Sequence, residues 1–92
     1  MMFTNYAELI ARVARLLADM GVPYTVHSIW EGAQLRFPWS CGDVACHAGT
    51  YGSRSGYVET YQFSWDNDDV SILTPEEAAA RIAAECFETK EE

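Results

Sequence analysis

At Pro23 the hydrophobic pattern changes period, and this limits the fold more than any other feature of the chain. Before it, Leu9, Ile10, Val13, Leu16, Leu17 and Met20 recur at the spacing of one helix face, with Arg12, Arg15 and Asp19 off the stripe. After it, from Tyr24 to Trp65, β-branched and aromatic residues alternate with a period of two. Helical spacing returns at Ala78, Ala79, Ile82, Ala83 and Cys86. The resulting order is helix, strands, helix. Short turns between the strands favour antiparallel neighbours. Two amphipathic helices need an apolar surface, which one face of a single sheet supplies. The expectation is an α+β fold: an N-terminal helix, an antiparallel sheet of three to five strands and a C-terminal helix, with both helices on one sheet face.

Local signals set the boundaries. Asn5 followed by Glu8 forms a capping-box pattern, and Gly21 with Pro23 stops the first helix, which is expected over about 6–20. Strands are expected at Tyr24–Trp30, Ala33–Trp39, Val44–Tyr51, Tyr57–Trp65 and Val70–Leu73. Glu31-Gly32 reads as a tight turn, Gly52–Gly56 as a hairpin tip and Asp66–Asp69 as a turn. In the fourth strand Tyr57, Glu59, Tyr61, Phe63 and Trp65 are expected on one face, with Val58, Thr60, Gln62 and Ser64 on the other. Thr74-Pro75-Glu76-Glu77 announces the second helix: Thr74 caps, Pro75 sits where its missing amide is harmless, and Glu77 completes a capping box. Residues 3–88 then form one α+β domain, and 89–92 a frayed acidic tail.

Charge narrows the function. Six Lys and Arg face fourteen Asp and Glu, a net charge of −8. That balance argues against direct binding of nucleic acid or of an anionic membrane surface, both of which need a basic footprint. It suits a basic partner protein. No apolar run reaches the roughly 20 residues that a bilayer requires. The odd count of three cysteines and the lack of a visible signal peptide point to free thiols in a reducing cytoplasm.

Catalytic and metal chemistry find little support. Cys41, Cys46 and His47 lie close in sequence, with His27 on another strand, but the Cys-x4-Cys-His spacing is a poor zinc motif. An acidic domain offers little of the electropositive setting that activates a thiolate. Asp66-Asn67-Asp68-Asp69 lacks the glycine a calcium loop needs at its sixth position, where Ser71 stands. No metal, cofactor or catalytic residue is therefore assigned. Gly49–Gly56 is a different matter: its glycines and serines could offer backbone and hydroxyl donors to a phosphate, with Arg54 to balance charge.

In size, acidity and element order the chain resembles small phage-encoded anti-defence proteins, above all compact acidic anti-CRISPR proteins. The resemblance implies a non-catalytic inhibitor that occupies a DNA- or guide-binding surface of an effector nuclease in the host cytoplasm. It carries over no site residue. From the residues themselves, Asp43, Glu59, Asp66, Asp68, Asp69, Glu76 and Glu77 would stand in for phosphates, with Trp39 and Trp65 as aromatic anchors. The alternative is a sponge for a nucleotide signal, working as a homo-oligomer, with Tyr51, Ser53, Arg54, Ser55 and Tyr57 as the cradle.

Overall fold

The structure is a computed structural model and describes residues 6–29, 31–47, 55–67 and 69–90, the last two by backbone alone. The first helix, α1, runs Tyr6–Asp19. It buries Leu9, Ile10, Val13 and Leu17, together with Tyr6. Met20 belongs to the same stripe in sequence but lies past the helix end and is exposed. Gly21 ends the helix at φ 77°, a conformation that a side chain resists. The Val22 amide donates to the Leu17 carbonyl (3.0 Å) and the Gly21 amide to that of Ala18 (3.1 Å), which satisfies two carbonyls that the helix leaves open. Asn5, the expected cap, lies outside the described residues.

Among the described residues five strands follow: β1 (Thr25–Ile29), β2 (Gly32–Arg36), β3 (Asp43–Cys46), β4 (Val58–Tyr61) and β5 (Val70–Leu73). Each pairs antiparallel with the next, in the spatial order β1-β2-β3-β4-β5. Ile29 faces Gly32, and Glu31, just before Gly32, takes a left-handed φ of 64° that suits a tight hairpin turn. A Cβ on Gly32 would overlap the Cys46 carbonyl oxygen, so a glycine is required there for β2 to lie against β3.

The second helix, α2 (Pro75–Lys90), begins as its capping residues predict. The Glu77 amide donates to the Thr74 hydroxyl at 3.1 Å. Only half of the capping box forms, because the Glu77 carboxylate pairs instead with Arg81, one turn on, at 3.0 Å. The helix continues through Lys90.

Both helices lie on one face of the sheet, α1 over β2 and β3, α2 over β4 and β5. That face presents Ala33, Leu35, Val44, Cys46, Val58 and Leu73, all buried. Ile10, Val13, Leu17, Leu35, Val44, Val58 and Ile82 are essentially closed to solvent. Burying each such side chain stabilises the fold by about 1.5–3 kcal/mol. Small residues on α2 (Ala78, Ala79 and Ala83) let it approach the sheet and α1 closely.

The fourth strand departs from its expected length. Strict alternation would put Phe63 and Trp65 on the same face as Glu59 and Tyr61. Instead β4 ends at Tyr61, and Gln62 takes a left-handed φ of 68° that reverses the side-chain direction. Phe63 turns inward and is buried, and Trp65 packs half-buried against the core. Asp66, expected at the surface, lies inside with them. It is only 4% exposed, its carboxylate accepting from the Thr60 hydroxyl (3.0 Å) and the Phe63 amide (3.1 Å). It fastens the turn from inside and is unavailable to a partner.

Candidate partner-binding face

The sheet face turned away from the helices carries what remains of the acidic and aromatic set. Register builds it in rows. Thr25, Arg36, Asp43, Tyr61 and Val70 lie across from one another on successive strands. His27, Gln34, Ala45, Glu59 and Ile72 form the next row. Period two placed these residues here: on β2, β3 and β4 they alternate with the buried Ala33, Leu35, Val44, Cys46, Val58 and Thr60. No described helix covers this face. Tyr61 is 41% exposed and Ile72 46%. Tyr57, just before β4 and exposed, continues the Glu59–Tyr61 series by alternation.

The electrostatics centre on Asp43. Burial of this half-buried carboxylate raises its pKa above the ordinary 3.8. A hydrogen bond with Gln34 and the charge of Arg36 pull it down, while the charges of Glu59 and Asp66 push it up. Gln34 in turn accepts from the Arg36 Nε at 3.1 Å. Arg36, Gln34 and Asp43 thus form one polar chain across β2 and β3, within electrostatic reach of Glu59 on β4. Gln34 does not stand out in sequence. Its alternation with Ala33 and Leu35 was the available signal.

The other expected residues are dispersed. Asp69 is exposed at the entry to β5, where its carboxylate accepts from the Val70 amide at 2.8 Å. Glu76 pairs with Arg12 of α1 at 3.3 Å, and Glu77 with Arg81. Both sit on the helix side of the molecule. The two tryptophans are half-buried and engaged in packing. Trp39 donates from its indole to the Pro23 carbonyl (3.2 Å), with its ring 5.2 Å from Phe37. Trp65 stacks on Phe63 at 4.7 Å, donates to the Thr60 hydroxyl at 3.0 Å and lies 5.9 Å from the Arg81 guanidinium. Asp68, Tyr51, Ser53 and Arg54 lie outside the described residues, so of the expected phosphate cradle only Ser55 and Tyr57, both exposed, are described.

The cysteines divide by setting. Cys41 is exposed in the β2–β3 loop, Cys46 and Cys86 are buried, and no disulfide joins them. The Cys46 thiol points into the core and lies 3.7 Å from the Tyr57 carbonyl. His47, the next residue, is half-buried. Among the described residues no three His, Cys, Asp or Glu side chains gather as a metal site would need, and no helix is long and apolar enough to cross a membrane.

Comparison of the chain with protein-family models, with curated proteins and with solved structures found no match.

Proposed function

We propose that this protein works by docking the helix-free face of its sheet onto a cationic, nucleic-acid-binding surface of a partner protein. Asp43 and Glu59 supply the negative charge, Tyr57 and Tyr61 the exposed ring area, and Asp69 an acidic rim. One observation carries the reading. On the sheet face that no described helix covers, Asp43 of β3 lies across from the exposed Tyr61 of β4, and Glu59 precedes Tyr61 by two residues on the same strand and face. Tyrosine beside charge suits an interface: the ring gives contact area while the hydroxyl stays hydrogen-bonded. The net charge of −8 adds long-range attraction, which speeds and steers encounter with a basic surface. The part is non-catalytic, and an effector nuclease whose nucleic-acid site is occupied in this way is the partner an anti-defence inhibitor would have.

The test starts with capture from a lysate by the immobilised chain at low salt, identification of what is retained, and titration of the purified pair. The expected partner has a basic surface, releases this chain when its own nucleic acid is added, and binds at least about tenfold more weakly at high salt. A partner that binds nucleic acid and this chain simultaneously, with an affinity indifferent to salt, would contradict the proposal.

A further inference from the structure

We propose that β1 pairs with β1 of a second copy, antiparallel about a two-fold axis at His27, so that two chains share one continuous sheet. β1 is an edge of the sheet, and its outer amides and carbonyls meet no strand among the described residues. Such a row is complementary to another strand. An antiparallel edge is also self-complementary, as a two-fold dimer requires. Here Thr25 would face the partner copy's Ile29, Val26 its Ser28, and His27 its own equivalent.

The sequence of β1 leaves this edge open. Thr25-Val26-His27-Ser28-Ile29 contains no acid, lysine, arginine or proline, the devices that usually keep edges apart. In a chain of net charge −8, it is a place where two copies meet without acid against acid. Among the described residues, cover is missing as well. Because α1 lies over β2 and β3, residues 25–28 are exposed, and Val26 is 58% exposed although it points to the helix side. Beside it runs a groove floored by Val26 and walled by Ala7, Ala11, Ala14 and Ala18 of α1, which the pairing would close off from one side.

The opposite edge does not offer the same fit. Asp69 precedes β5 and already occupies the Val70 amide, and Pro75, Glu76 and Glu77 follow its end. Antiparallel pairing of two β5 strands would bring Asp69 toward the partner copy's Glu76 and Glu77, and like charges across strands destabilise a pair. The ends of β1 differ in sign instead. Glu31 follows its C-terminal end. Arg36, in register with Thr25, and Arg15, which lines the groove with Tyr24, mark the N-terminal end. A two-fold axis at His27 sets each acidic end against the other copy's basic one, with Asp19 the single acid of α1's last turn. The joined sheets would present two docking faces side by side, but the pairing stands independently of what those faces bind.

Sedimentation equilibrium of the full chain, with two variants, tests this. The expected mass is twice 10.3 kDa at micromolar concentration. His27→Lys, which sets two cations face to face on an exposed strand, is expected to raise the dimer dissociation constant at least about tenfold with an unchanged circular dichroism spectrum. In a Cys41→Ser background, His27→Cys is expected to form a disulfide-linked dimer on mild oxidation, since facing residues about 4.5–5.5 Å apart suit the bond. A wild-type chain that stays at 10.3 kDa into the millimolar range overturns the proposal. So does a dimer that His27→Lys leaves intact and His27→Cys fails to link.

Discussion

The Thr60 hydroxyl donates a 3.0 Å hydrogen bond to the Asp66 carboxylate, and both residues are buried. Thr60 sits on the core face of β4, where its hydroxyl needs a partner. Asp66 supplies it while holding the Phe63 amide, and the Trp65 indole donates to the same hydroxyl from the other side. The pair fixes the turn that ends β4, and so decides which aromatic rings enter the core and which stay on the open face.

Asp66→Ala should therefore act on folding and leave docking to whatever fraction stays folded. It strands the Thr60 hydroxyl and the Phe63 amide and removes a charged acceptor, a loss of about 2–3 kcal/mol. Urea denaturation measures it. Asp69→Ala, which removes one exposed bond to the Val70 amide, should cost less than about 1 kcal/mol.

Phe63 is 4% exposed and touches Phe37, Trp39 and Trp65. Phe63→Ala opens a cavity at the meeting point of these rings and should cost about 3–5 kcal/mol, a large share of the stability of a small domain. The tryptophan emission of the folded variant should shift to the red as the two half-buried indoles gain water.

Thr74→Ala removes the acceptor of the Glu77 amide at the start of α2. A loss of about 1 kcal/mol is expected, and Thr74→Ser should recover most of it. Thermal unfolding of the three proteins provides the comparison.

Asp43 holds its proton more tightly in the folded state than its ordinary value of 3.8 allows, with burial the main cause. Between 3.8 and its raised folded value, the native chain carries more protons than the unfolded one at this site. The contribution of Asp43 to stability thus falls as pH rises through that window, and the loss is complete above the folded value. Asp43→Asn abolishes this trend. The stability of the variant relative to wild type should climb above pH 3.8 and then level off. A difference constant across that range would contradict the assignment.

Much of this fold was legible because its signals are local. Thr74-Pro75 marks the start of α2, Gly21 the end of α1, and period two separates Leu35 and Val44 from Gln34 and Asp43. That Glu59 and Tyr61 share a face was legible in the same way, although not that this face is the open one. Alternation failed at Gln62, where one left-handed residue redirects the chain, and neither residue type nor pattern marks glutamine for that conformation. Asp66 stands in a run of Asp and Asn that looks like a solvated turn. Its burial follows from the tertiary need of Thr60, visible only once β4 is set between β3 and β5. Glu76 and Glu77 were correctly seen as the start of a helix, but nothing local says which side of the sheet that helix will occupy.

The central claim is that the helix-free face, and not the acidic helix side, meets the partner. Its most direct test compares the affinity of the identified partner for Glu59→Lys/Tyr61→Ala with that for Glu76→Gln/Glu77→Gln, in chains shown by circular dichroism to be folded. The account predicts a loss of at least about tenfold for the first pair and less than about threefold for the second. Unchanged binding by the first pair, or a larger loss from the second, would contradict it.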